Sequence, residues 1–235
     1  MTNKYMYFIA NWKMFGRLSS LNSLKKVVKF LREYKKNKFI KIIYCPPSTL
    51  IQSMSKILKN SPIKVGAQNC HEGQTYGPFT GFINSKMLKN VGAKYVIIGH
   101  SENRNLGETD RLINTKIKSA LKSGLKVIFC IGETLQQKKK KFTRKVLRKQ
   151  MSLGLEKINN KKDVIIAYEP VWSIGTGRTP KTKELFEIIN FLKKEYKKYK
   201  ILYGGSVNTK NINELKIFKN IDGFLIGGAS QDTKK

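Results

Sequence analysis

Eight short runs of β-branched and aromatic residues, alternating with longer stretches of helical apolar spacing, predict an α/β fold with a parallel sheet wrapped by helices. No Ser/Pro-rich linker or break in composition interrupts the 235 residues, so the chain reads as a single domain, 1–235. Eight βα units in that length match the size of a (β/α)8 barrel. Polar residues and glycines gather directly after the runs, all at one end, as they would around a barrel mouth. A doubly wound open sheet is the competing arrangement, and the order of units alone does not separate the two.

The first strand is expected at 5–10 and runs into Asn11-Trp12-Lys13, with an amphipathic helix at 20–34. The second, 39–45, ends on Cys45 and leads to a helix at 49–59. The third, 63–67, stops at Gln68-Asn69, and a helix follows at 84–91. The fourth, 95–98, opens on Gly99-His100-Ser101-Glu102, where Ser101-Glu102 is a candidate helix start, and a helix is expected at 111–122. The fifth, 126–131, gives way to Gly132-Glu133 and a long helix at 135–158. The sixth, 164–168, is stopped by Glu169-Pro170, since proline cannot donate to a ladder, and the helix at 182–197 comes after it. The seventh, 201–203, meets Gly204-Gly205-Ser206 and a helix at 211–218, and the eighth, 223–226, meets Gly227-Gly228.

The charge is extreme for one domain: 47 Lys and Arg against 15 Asp and Glu, a net +32. Because 40% of residues are apolar and 10% aromatic, that charge decorates a globular fold rather than a disordered polycation. Lysine runs at 138–141, 161–162, 193–194 and 197–198 fall mostly on helix exteriors. Such a surface steers anionic substrates and is also compatible with a polyanion-binding protein, but no recognition motif of a nucleic-acid module and no aromatic ladder accompanies it. Cys45, Cys70 and Cys130 form no CxxC and read as small buried hydrophobes. With two histidines, His71 and His100, and no ligand spacing, a metal is not expected. No apolar run approaches the ~18 residues of a membrane span and no signal-peptide layout opens the chain, so a soluble, cytoplasmic protein without a membrane partner is expected.

Glu169 emerges at the mouth of an apolar strand, where loss of solvation disfavours its charged form and strengthens it as a base. A salt-bridged strand terminus is the bland alternative. His100 has the same placement ahead of a helix amino terminus, which disfavours imidazolium and leaves a neutral ring able to donate a hydrogen bond; a satisfied core histidine is its alternative. Gly175-Thr176-Gly177, Gly204-Gly205-Ser206 and Gly227-Gly228 leave backbone N–H groups accessible to a phosphate, although each pair taken singly is also an ordinary turn. Lys13 offers a fixed positive charge, and the stretch 170–180, bounded by prolines, has the make-up of a lid. Joined, these segments imply proton transfer on a small phosphorylated carbonyl compound.

The same residues carry a resemblance. Asn11-Trp12-Lys13-Met14, Gly99-His100-Ser101-Glu102, Cys130-Ile131-Gly132-Glu133-Thr134, the run from Ala167 to Gly177 and Tyr203-Gly204-Gly205-Ser206-Val207 are similar, in order and over almost the whole chain, to the triosephosphate isomerase family. The resemblance implies a TIM barrel that interconverts dihydroxyacetone phosphate and glyceraldehyde 3-phosphate in glycolysis and gluconeogenesis. It implies Glu169 as the base, neutral His100 as the electrophile and Lys13 as the stabiliser of negative charge, with Asn11 beside it and Glu102 positioning the lysine. Gly175, Ser206, Gly227 and Gly228 fall at phosphate-binding positions, and a homodimer is implied. A different sugar phosphate on the same barrel is disfavoured by the joint match at Glu169 and His100.

Two departures stand out. Thr80-Gly81 is followed by Phe82 where the family has an acid, and Glu102 is followed by Asn103 before Arg104 where the family has two arginines. Their joint change is expected to replace an ion pair of the subunit contact with apolar packing. After Ser230 the sequence runs only from Gln231 to Lys235, too short for an eighth helix, so seven full outer helices are expected, with apolar surface uncovered around the first and last strands unless a partner or another segment covers it; an incomplete gene product is the alternative.

Overall fold

The computed structural model describes residues 5–34, 37–176 and 179–231, and its eight parallel strands close on themselves in sequence order. They are β1 (Met6–Asn11), β2 (Ile40–Cys45), β3 (Lys64–Ala67), β4 (Tyr95–Ile98), β5 (Lys126–Ile131), β6 (Val164–Tyr168), β7 (Lys200–Tyr203) and β8 (Gly223–Ile226). Closure is made by β1 against β8, in register from Tyr7 opposite Gly223 to Ala10 opposite Ile226. That pairing removes the open-sheet alternative, because an open sheet has two free edges.

Along each strand the side chains alternate. Ile9, Ile97, Ile128, Ile165, Leu202 and Leu225 interleave inside the barrel with Cys45 and Cys130, while Phe129, Ile166, Tyr203 and Phe224 pack outward beneath the helices. Each such buried side chain contributes about 1.5–3 kcal/mol. Carried to and just past the strand ends, the same parity sends Asn11 inward after Ile9, Glu169 inward after Ile165 and Ala167, and Gly204 inward after Leu202. The apolar core therefore decides which residues face the mouth. All three cysteines are buried and free of disulfides, as expected of small buried hydrophobes.

The helices are α1 (Leu24–Glu33), α2 (Ile51–Ile57), α3 (Ser85–Asn90), α4 (Ser101–Asn105), α5 (Asp110–Lys122), α6 (Leu135–Lys139), α7 (Thr143–Gly154), α8 (Thr182–Glu195) and α9 (Ile212–Lys216). Several of their starts carry a side-chain cap. Asn84 Oδ1 accepts the Met87 N–H at 2.9 Å, Thr109 Oγ1 accepts the Leu112 N–H at 3.2 Å, and Thr134 and Gln137 form a reciprocal capping box.

The expectation of seven full outer helices is corrected in two places. The helix expected at 135–158 breaks between α6 and α7, where Lys141 adopts a left-handed conformation (φ 59°) and the Phe142 N–H returns to the Gln137 carbonyl at 2.9 Å. This is a helix stop, and the four-lysine run beneath it adds like-charge repulsion at helical spacing. The helix expected at 211–218 shortens to α9, five residues long. After β8, among the described residues, only a 3-10 turn at Gly228–Gln231 follows, tied to β1 by the Trp12 indole N–H donating to the Ser230 carbonyl at 3.1 Å. The outer faces of β8, β1 and β2 consequently border an apolar groove of ≈ 630 Å³ between α1 and α9.

Candidate active site

Glu169 leaves β6 with its backbone N–H bonded to the Ile131 carbonyl at 2.8 Å and its side chain turned into the barrel mouth. The carboxyl is almost wholly buried, and its Oε2 has no hydrogen-bond partner among the described residues. Burial pushes its pKa up, with His100, Cys130 and Lys13 pulling the other way. Room for the group comes from Gly204: a Cβ there would lie 2.6 Å from Glu169 Cγ and 3.0 Å from Oε1.

His100 sits at the amino end of α4, buried, with Nε2 3.7 Å from Glu169 Oε1. Its Nδ1 accepts the Glu102 backbone N–H at 3.3 Å. The Glu102 carboxylate is also 3.6 Å from Nδ1, a separation too long for a hydrogen bond. With Nδ1 engaged by the Glu102 N–H, Nε2 is the ring nitrogen that faces the Glu169 carboxyl.

Lys13 is held in a left-handed conformation (φ 53°), a strain of about 1–3 kcal/mol for a residue other than glycine. The surrounding bonds maintain it. Its N–H donates to Asn11 Oδ1 at 3.0 Å, its carbonyl accepts from Gln68 Nε2 at 2.7 Å, and its Nζ donates to Glu102 Oε1 at 2.6 Å. Glu102 is more than half exposed, so the pair adds little stability; its consequence is to direct the ammonium. Gly227 borders the same lysine, its Cβ position lying 3.7 Å from Lys13 Cε, and Gly228 has open space around it.

Residues 170–176, the described first part of the 170–180 stretch, follow β6 and lie beside the loop after β7. Pro170 leads into a 3-10 turn at Val171–Ser173, and Gly175 takes a positive φ of 69° in open space. The Ser206 N–H donates to Ser173 Oγ at 3.3 Å, and the Asn211 amide holds the Ser206 carbonyl at 2.8 Å. Gly177, part of the expected glycine cluster, lies outside the described residues.

Sequence reading assigned no role to Glu133, although it shares the signal that marked Glu169, an acid just after an apolar strand. It is buried and accepts the Trp172 indole N–H at 2.9 Å and the Tyr168 hydroxyl at 3.2 Å. Lys138 stacks its ammonium 3.7 Å above the Trp172 ring and reaches Glu184 at 2.9 Å, so this member of the lysine run packs at the base of the segment.

The sequence as a whole shows the same kinship as the site. A family model described as triosephosphate isomerase matches residues 6–235. The triosephosphate isomerase of Dictyoglomus thermophilum is 42% identical over 234 residues, covering 94% of this chain and 92% of that protein. The chain belongs to the triosephosphate isomerase family. The enzyme of Aquifex aeolicus is 40% identical, with 95% and 93% of the two chains covered. The crystal structure of the Bartonella henselae triosephosphate isomerase superposes with a TM-score of 0.88 at 34% identity, covering 97% of this chain and 94% of that one. Membership of the triosephosphate isomerase family makes the chain an aldose–ketose isomerase on a TIM barrel, an enzyme of glycolysis. Among the described residues no helix is long and apolar enough to cross a membrane.

Proposed function

We propose that this chain interconverts dihydroxyacetone phosphate and glyceraldehyde 3-phosphate through an enediolate. The observation that carries the reading is the approach of a buried, partner-poor Glu169 carboxyl to Nε2 of a buried His100 whose Nδ1 accepts a backbone N–H. Glu169 takes the proton from the carbon beside the carbonyl and returns it to the neighbouring carbon. His100 donates through Nε2 to the carbonyl oxygen and moves protons between the two oxygens of the enediolate. A glutamate base with a neutral histidine is this family's known pairing and not a new assignment. Lys13, with Asn11 and Glu102 fixing its backbone and Nζ, places positive charge where the oxyanion develops. Backbone N–H groups at Gly175, Ser206, Gly227 and Gly228 receive the phosphate, and closure of 170–180 excludes water. No cofactor takes part in this scheme.

The purified chain is expected to isomerise glyceraldehyde 3-phosphate, and Glu169→Asp and His100→Gln each to lower kcat by about 10²–10⁴-fold with the fold intact by circular dichroism. A folded, inactive wild type would end the proposal.

The proposal includes a homodimer through the 77–82 loop. Phe82 is 63% exposed, its ring edge-on to His71 at 5.0 Å beside Phe79, an apolar face set on a highly charged chain. Dimer affinity unchanged in the double variant Phe82→Glu with Asn103→Arg would count against it.

A further inference from the structure

Beyond their last paired residues, Ile131 and Tyr168, β5 and β6 stay joined. The Glu169 N–H donates to the Ile131 carbonyl at 2.8 Å, and the Val171 N–H donates to the Glu133 carbonyl at 3.0 Å. Gly132 lies between these two attachments. Successive residues of a strand turn their backbone groups to opposite sides, so the N–H and carbonyl of Gly132 point away from β6, toward the side of β4. No strand meets them there, because β4 stops at Ile98, opposite Phe129, and the chain turns at His100 into α4. Gly132 is buried, and a buried peptide group needs a partner for its donor and its acceptor.

Gln150 of α7 supplies both. Its Oε1 accepts the Gly132 N–H at 2.9 Å and its Nε2 donates to the Gly132 carbonyl at 3.1 Å, so one side-chain amide stands where a strand would. Two residues earlier, on the same side of β5, the Cys130 carbonyl accepts from the Arg104 guanidinium at 3.2 Å, but Arg104 is also bound to Gly99 and Asp110. Both hydrogen bonds described for Gln150 go to Gly132. Gly132 in turn bears on the base: a Cβ there would lie 1.9 Å from the Glu169 carbonyl oxygen, so the two main chains meet with no room for a side chain between them. The next residue, Glu133, holds Trp172 and Tyr168. A shift of Gly132 therefore moves Glu169 and the start of the 170–180 segment together. We infer that Gln150 is a positioning residue for the isomerisation, clamping Gly132 so that the Glu169 carboxylate is held in its working place beside His100. The inference rests on the mechanism proposed above, in which Glu169 is the base.

The test compares variants of the full 235-residue chain with wild type. Gln150→Met keeps the length of the side chain and removes both bonds. It is expected to lower kcat by about 10–100-fold while KM for glyceraldehyde 3-phosphate and competitive inhibition by inorganic phosphate stay within about twofold of wild type, because a misplaced base costs rate and not phosphate affinity. Gln150→Glu keeps the acceptor for the Gly132 N–H but turns an unprotonated oxygen to the Gly132 carbonyl, and is expected to lower kcat by about tenfold or more at pH 8. The control is Asn114→Ala. Asn114 of α5 holds the Gly154 and Glu156 carbonyls, at 2.9 and 3.0 Å, at the carboxyl end of the same helix α7, so its loss is expected to lower Tm and leave kcat within about twofold. A Gln150→Met enzyme with the kcat of wild type would overturn the inference. A fall in kcat that Asn114→Ala matches, or one accompanied by an equal loss of phosphate inhibition, would reduce Gln150 to a general tie of the fold and overturn it as well. A folded wild type without activity would overturn the mechanism itself, and the inference with it.

Discussion

The fold withholds solvent and a full set of hydrogen bonds from Glu169, the base of the proposed mechanism, and that has consequences for both activity and stability. The proposed mechanism needs the carboxylate, so kcat/KM is expected to fall with decreasing pH through a pKa above the usual 4.5, readable in a pH–rate profile of the wild type. The stability effect has the opposite sign. A carboxyl whose pKa is raised in the folded state binds its proton more tightly there, so its favourable contribution is complete below the unfolded value and is lost as pH rises through the folded one. Glu169→Gln is therefore expected to be more stable than wild type in urea at about pH 8, with the difference vanishing near pH 4. Gly204 supplies the space in which the base sits. Gly204→Ala is expected to lower kcat by about 10²-fold while KM changes little, because the added methyl overlaps Glu169 and not the phosphate site. An unchanged kcat would show that the carboxylate has another productive position.

At the scale of elements, the strands came straight from the sequence, since short apolar runs ending in Gly, Pro or a lone acid leave few alternatives. Helix ends were less legible. The break at Lys141 was missed because the residue that usually marks a left-handed helix stop is glycine, and here the stop is set by the return of the Phe142 N–H to Gln137. Lys141→Gly is expected to stabilise the protein by about 0.5–1 kcal/mol in thermal or urea unfolding, since the side chain is exposed and only the backbone strain is removed. The 170–180 segment is anchored at its base by Glu133 through Trp172 and Tyr168. Glu133→Ala leaves the buried Tyr168 hydroxyl without its acceptor, so a loss of kcat of about tenfold and faster proteolysis within 170–180 are expected. Protection from proteolysis equal to wild type would place the anchor elsewhere.

For the whole molecule, +32 on 235 residues acts on rate and stability in opposite directions. Raising NaCl from about 0.05 to about 0.5 M is expected to slow capture of an anionic substrate, lowering kcat/KM more than kcat, and to raise Tm by relieving self-repulsion. A flat salt response would mean that the field at the barrel mouth is set by Lys13 and its neighbours alone. The sequence by itself determined the βα order, the strand positions and the set of residues gathered at one end, because periodicity and chain breakers are local properties of the chain. Only the tertiary structure decided that β1 pairs with β8, that His100 Nδ1 accepts a hydrogen bond and faces Glu169 across 3.7 Å, and that Gly204 makes room for the base. Those facts depend on residues far apart in the chain meeting at one point in space, and no local pattern encodes the distance between them.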